Sequence, residues 1–273
     1  MTVALAAVVG FLAARLVWML MRPTFASDVF LRENFRGRTL PTAAGLVLAV
    51  AVLVVEAVRT VAGSELSRAR VAVLVLAVGL AAVGLVDDLA GDGDRRGFRG
   101  HLAALRDGQL TTGGLKLVGG GCVAVLAVNI ARPDNSVLEL LTDAALVALA
   151  ANLGNLLDLA PGRAIKGATI AFIALAASTA LDARLGAAAV VVGAALGLLV
   201  DDLRERLMLG DTGANVLGGA IALGVVSVGS PIVRLAVLGV VAILNGLSEW
   251  VSFSSVIDRV APLRALDRAG RRA

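Results

Sequence analysis

The chain has 273 residues, 58 % hydrophobic and 17 % charged, with a mean hydropathy of +0.89; soluble globular proteins run at about 45–50 % apolar and about 25 % charged. This excludes a disordered chain, a coiled coil and a disulfide-rich module, and it disfavours an ordinary soluble enzyme; the single cysteine, Cys122, has no internal partner. The net charge of +4 comes from 23 Arg and 2 Lys against 21 acids, and in so apolar a chain the arginines speak of membrane sidedness rather than of nucleic acid.

Nine apolar runs approach the length of about 20 residues that a bilayer crossing requires. In chain order they are 2–21, 42–62, 69–86, 115–131, 136–153, 165–181, 184–200, 213–230 and 231–255. Lipid offers the backbone no hydrogen-bond partners, so each run is expected to be a helix. The expectation is an all-α polytopic membrane protein with about nine transmembrane helices, forming one domain over residues 1–273. The first run has no cationic leader and is followed by Arg22, which favours a retained helix with its N-terminus outside. Nine crossings then put the C-terminus in the cytoplasm. The inner segments become 22–41, 87–114, 154–166, 201–212 and the tail from 256. With Lys116 at a helix edge they carry 18 Lys and Arg, against six outside: Arg59, Arg68, Arg70, Arg132, Arg184 and Arg234. That asymmetry obeys the positive-inside rule. The inner connections are also the longer and more polar ones, so function is expected at the cytoplasmic face.

Three polar clusters lie on that face. Gly84-Leu-Val-Asp87-Asp88 ends the third run, and adjacent carboxylates at a membrane edge call for magnesium, arginine or lysine. Asn152-Leu-Gly-Asn155-Leu-Leu-Asp158 ends the fifth run, and its three-residue spacing suggests one polar strip aimed at a site. Leu209-Gly210-Asp211-Thr212-Gly213-Ala-Asn215 opens the eighth. Its glycines let the backbone approach a ligand, its helix N-terminus offers amides to a phosphate, and Asp211 offers oxygen to a hard metal. Both lysines, Lys116 and Lys166, border the same inner segments. Singly, each cluster is also explained as a solvated or capped helix end. Together they describe a site for a phosphorylated, partly lipidic substrate and a divalent cation.

In order and spacing these segments resemble the polyprenyl-phosphate N-acetylhexosamine-1-phosphate transferases. Pro41-Thr42-Ala43-Ala44-Gly45 is similar to the family's P-T-x-G-G, Gly84 to Asp88 to its G-x-x-D-D, and Leu115-Lys116-Leu117 to its K-L. Asn152 to Asp158 is similar to N-x-x-N-x-x-D, and Leu209 to Gly213 to M-G-D-T-G. The resemblance spans about residues 38–267. It implies transfer of a sugar-1-phosphate from a UDP-sugar to a polyprenyl phosphate at the cytoplasmic face of the bacterial plasma membrane, with release of UMP. It implies Mg2+ as cofactor, bound by Asp211, with Asp87, Asp88 and Asp158 as catalytic carboxylates. Lys116, Asn152, Asn155, Thr212 and Arg264 are the implied substrate-binding residues. A homodimer follows by analogy with the family. The chain departs from the pattern at Pro161, where relatives carry a second Asp, and at residues 261–266, where Arg264 falls in a segment that is histidine-rich in one branch. The lone His101 lies in the Asp-Asp loop.

Other readings of the same residues are a catalytically altered member that binds lipid phosphate or scaffolds envelope assembly, and a membrane prenyltransferase. The latter would use Asp88 and Asp92 with acids from residues 201–211. A transporter would use Glu56 and Asp143, the acids inside apolar runs.

Overall fold

In the computed structural model, residues 1–90 and 112–271 are described. His101 and Asp92 lie outside them. Among the described residues eleven helices follow one another: α1 (Val3–Phe25), α2 (Leu46–Val61), α3 (Arg68–Ala90), α4 (Thr112–Ala131), α5 (Val137–Leu157), α6 (Arg163–Ser178), α7 (Gly186–Leu203), α8 (Gly210–Val228), α9 (Pro231–Ser248), α10 (Phe253–Arg259) and α11 (Ala261–Arg268). Each of the nine apolar runs holds one of the first nine helices. Seven segments are long and apolar enough to cross a membrane: α1, α3, α4, α5, α8, α9, and α7 together with the turn that leads into it. Helices α2 and α6 have 16 residues each, about 24 Å at 1.5 Å per residue, short of a hydrocarbon core of about 30 Å.

Sequence chemistry sets the boundaries. Thr2 caps α1 by accepting from Leu5 N, and Ser136 with Glu139 forms a capping box on α5. Ser230 caps α9, whose first residue is Pro231. The ninth run is not one helix: α9 stops at Ser248, and α10 and α11 form a short appendage of mostly exposed residues. The other departure from an all-helical expectation is a small antiparallel hairpin, β1 (Leu31–Glu33) on β2 (Thr39–Pro41), with Arg32 opposite Leu40. Its turn is held by Asn34, whose Oδ1 accepts from Arg36 N and Arg38 N, and by Gly37 at φ +70°. Arg36 and Arg38 both clamp the buried Glu205 carboxylate, at 2.9 and 3.1 Å.

Helices α7 and α8 are the most buried and form the centre of the bundle. Helix α1 lies along α7, α5 and α3 lie along α8, α4 covers α3, and α9 covers α5. Small residues permit these approaches. A Cβ at Gly193 would overlap the Ala7 carbonyl oxygen, and one at Gly10 the Val190 carbonyl oxygen, so α1 and α7 meet backbone to backbone. Gly154 and Gly218 do the same between α5 and α8. Large apolar side chains such as Leu20, Val58, Ile232 and Ile243 remain exposed around the perimeter, as expected of a surface solvated by lipid tails.

The two acids that a transporter would use are paired. Glu56 accepts from Arg59 and Arg70; Asp143 accepts from Arg132 at 3.1 Å and from Arg234. Both acids sit beside helix ends that carry their partners. Neither stands in an apolar interior without a cation, the condition that made them pathway markers.

Candidate active site

The site forms where α3 ends, α5 ends and α8 begins. The first turn of α8 leaves backbone N–H groups without helical partners and concentrates positive dipole there. Two carboxylates occupy them. Asp88 Oδ1 accepts from Asp211 N at 2.9 Å, and its Oδ2 accepts from Thr212 N at 3.0 Å and Thr212 Oγ1 at 2.6 Å. Asp158 Oδ2 accepts from Gly210 N at 3.0 Å. The amides that the sequence offered to a phosphate are therefore taken by the protein's own acids. Asp88 is a positioning residue here, and buried Thr212 is its partner rather than a group open to substrate.

A fourth segment closes this junction. Met208 N donates to Pro41 O at 2.7 Å, Ala44 N to Met208 O at 3.2 Å, and Gly45 N to Leu209 O at 2.9 Å. Residues 41–45 thus run beside 208–209, with the hairpin delivering them. Gly210 has φ +69°, and a Cβ on it would lie 2.6 Å from Asp88 Oδ2 and 3.0 Å from Ala43 N. Only glycine satisfies both the left-handed backbone and that space. A Cβ on Gly84 would lie 2.6 Å from the Asp211 carbonyl carbon, so α3 also passes in backbone contact. Three of the motif segments, far apart in sequence, meet at the start of α8.

Asp211 and Asp87 remain as the open carboxylates. Lys116, from the first turns of α4, pairs with Asp211 and lies 3.7 Å from Asp87 Oδ2. Asp87 also lies against Asp211 itself. Asp158 is surrounded by negative charge. Burial first, then the charge of Asp202, push its carboxyl well above the usual range, against the opposing Gly210 N–H; Asp88 and Asp211 add to the rise.

Among the described residues no three His, Cys, Asp or Glu side chains form a ready-made metal cage. Magnesium does not need one: it commonly takes one or two protein carboxylates and completes its shell with water and phosphate oxygens. Asp87 and Asp211, two hard oxygen donors drawn to a single ammonium, fit that demand.

The remaining expected residues are placed differently. Asn155 is half-buried and has no side-chain hydrogen bond among the described residues. Asn152 does not join the site: its Nδ2 donates to Asn245 Oδ1 on α9 at 2.7 Å. The reason is helical geometry. A step of three residues turns about 300°, so each repeat drifts about 60°, and Asn152 and Asp158 point about 120° apart. Arg264 is exposed on α11 and donates to Asp258 O at 2.8 Å. Lys166 also serves the tail, donating to the carbonyls of Leu266, Asp267 and Ala269; these are terminal carbonyls that α11 cannot satisfy itself. Arg163 reinforces the contact through Asp267 at 2.8 Å. The acids of residues 201–205 are likewise committed. Asp201 pairs with Arg15 and Arg206, Asp202 accepts from Gly162 N at 2.8 Å, and Glu205 holds the hairpin. Of the acids that a prenyltransferase would draw from residues 201–211, Asp211 is the one not committed in this way.

One residue of the third cluster has no role assigned from the sequence. Asn215 lies four positions after Asp211 on α8, is 4 % exposed, and its Oδ1 has no partner among the described residues. An acid and an amide at i and i+4 share a helix face, which was the available signal.

The raised Asp158 ionisation gives a pH test. A carboxyl whose folded pKa lies above its unfolded value costs stability once pH exceeds the unfolded value, and the cost grows until the folded pKa is passed. Asp158→Asn keeps an acceptor for Gly210 N and removes that cost. Its thermal midpoint in detergent is expected to exceed wild type at pH 8, with the gain vanishing towards pH 4. An equal or lower midpoint at pH 8 would show that Asp158 is not held under electrostatic stress.

No protein-family model and no curated protein sequence matches the chain.

Proposed function

We propose that the protein is a phosphoglycosyl transferase moving a sugar-1-phosphate from a UDP-sugar to a polyprenyl phosphate, with release of UMP, in cell-envelope glycan synthesis. The observation that supports this best is the meeting of Asp87, Asp211 and Lys116 at the junction built by residues 41–45, Gly84 to Asp88 and Gly210 to Thr212. Those are the segments on which the family resemblance rests. We place the junction at the cytoplasmic face of the bacterial plasma membrane on the charge asymmetry of 18 to six, with nine spans, the N-terminus outside and the C-terminus inside.

In the reaction an oxygen of the lipid phosphate attacks the β-phosphorus of the nucleotide. A new P–O bond forms as the bond from that phosphorus to the bridging oxygen breaks, and UMP leaves with the bridging oxygen. Asp211 and Asp87 would hold magnesium, which when bound would neutralise the diphosphate charge. Lys116 is a cation within reach of both carboxylates and would meet phosphate oxygens. Asp88 and Thr212 fix the backbone that carries Asp211. Asn155, half-buried with a free carboxamide, is placed to orient the nucleotide. Such chemistry is mainly positioning and charge stabilisation.

The test is UMP release from a panel of UDP-sugars by purified protein with magnesium and a polyprenyl phosphate. Turnover with at least one donor is expected, falling by about 100-fold or more in Lys116→Ala and Asp211→Asn, as losing one preorganised charge contact does elsewhere. Absence of turnover across the panel would favour the second reading, a catalytically altered relative that binds lipid phosphate. That reading draws on Asn152 and Arg264 facing away from the junction.

A further inference from the structure

The end of the bundle opposite the carboxylate junction gathers arginine. Arg59, Arg68, Arg70, Arg132 and Arg184 line one cavity of about 600 Å³, and no carboxylate is among the described residues lining it. Residues 70 and 88 mark the two ends of α3, about 27 Å apart at 1.5 Å per residue, so this cavity and the candidate active site are separate. Carboxylates stand behind the arginines. Glu56 pairs with Arg59 and Arg70, Asp143 with Arg132 and Arg234, Glu139 lies 3.9 Å from Arg132 and 3.5 Å from Arg234, and Asp182 pairs with Arg184. Five guanidinium groups therefore share four acids. Arg68 has no acid partner among the described residues, and Arg70, 4 % exposed, has a buried Nη2 with no hydrogen-bond partner.

Arginines crowded round one cavity repel one another, and an anion between them relieves that repulsion. A guanidinium presents its donors as a planar fork matched to two oxygens of a phosphate, and several forks around one cavity favour a multiply charged oxyanion over chloride or a single carboxylate. We propose that this cavity binds a phosphate-bearing anion, either a soluble phosphate or a lipid phosphate headgroup, at the end of the molecule remote from the transferase junction.

The experiment uses the full chain in phosphatidylcholine nanodiscs without magnesium. One arm titrates inorganic phosphate; the other replaces part of the lipid with dioleoyl phosphatidate. The thermal midpoint is read for wild type, Arg68→Gln, Arg68→Glu and Lys116→Ala. Arg68 is exposed and makes no ion pair or side-chain hydrogen bond among the described residues, so its variants keep the fold. A saturable rise is expected in wild type and in Lys116→Ala, with half-saturation at least tenfold weaker in Arg68→Glu and intermediate in Arg68→Gln. A rise in the soluble arm alone identifies free phosphate, and one in the lipid arm alone a headgroup. No rise in either arm, or an Arg68→Glu response equal to wild type, overturns the proposal. So does a response abolished in Lys116→Ala protein that elutes as wild type does, because it moves the binding to the other end.

Discussion

Asp88→Asn is expected to lower the thermal midpoint by about 5–15 °C, the largest effect of any single polar substitution at the junction. The wild-type carboxylate accepts three hydrogen bonds, two from backbone amides and one from a hydroxyl. Hydrogen bonds to a charged group are worth about 1.5–3 kcal/mol each. An asparagine offers one carbonyl oxygen and turns an NH2 towards a backbone donor, so at least one amide loses its acceptor and the negative charge at the helix N-terminus is lost. With the relief of a buried charge set against these losses, a net loss of about 2.5–4 kcal/mol follows, and each kcal/mol moves the midpoint of a domain of about 150–250 residues by about 2–4 °C. Thr212→Val removes only the Oγ1 contact and is expected to cost about 1 kcal/mol. Differential scanning of the two variants in the same detergent compares them directly. Asp88→Asn melting with wild type would mean that the carboxylate does not hold the start of α8.

Gly193→Ala is expected to cost more than about 3 kcal/mol, although it adds one methyl group. Overfilling a packed interior usually costs about 1–3 kcal/mol because side chains can turn away. Here the obstacle is the Ala7 carbonyl oxygen, a backbone atom with no rotamer to change. Relief requires α1 to draw back from α7, which loosens the contact along both helices, including the reciprocal one between Gly10 and Val190. Gly239→Ala is the matched control. Its Cβ meets nothing within 4 Å on α9, and helix propensity predicts a gain of up to about 1 kcal/mol. Equal midpoints for the two variants would refute backbone contact between α1 and α7.

The helices were legible because hydropathy reports what lipid and a tight bundle both demand; the positions of all nine apolar runs follow from it. Length was harder. Runs 42–62 and 165–181 read as full spans, yet α2 begins only at Leu46, after residues 41–45 have been drawn into the junction, and α6 ends at Ser178. The hairpin was not legible. Its strands are three residues each, too short for an alternating pattern, and its clamp, Glu205, lies far along the chain. Of the site, Asp87, Asp88, Lys116, Asp158 and Asp211 were found as residues, but not which of them spend their oxygens on structure. Nothing in the spacing of Asp88 says that Thr212 and two amides of α8 absorb it. The Asn152 error arose from treating a three-residue repeat as a straight line on a helix that turns 3.6 residues per turn. Arg264 and Lys166 depended on how the tail docks, a contact between segments about 100 residues apart that only the fold defines.

The grip on the first turn of α8 comes from three directions: the backbone of residues 41–45, the side chain of Asp88 and the side chain of Asp158. A point fixed from three independent anchors does not inherit the errors of the chain between them. Insertions and deletions in the intervening connections change closure entropy only logarithmically, while the place of Asp211 is triangulated and stays where it is. Change at an anchor is tolerated only where the new side chain still accepts from the α8 amides, so sequence freedom in this protein is concentrated between its fixed points.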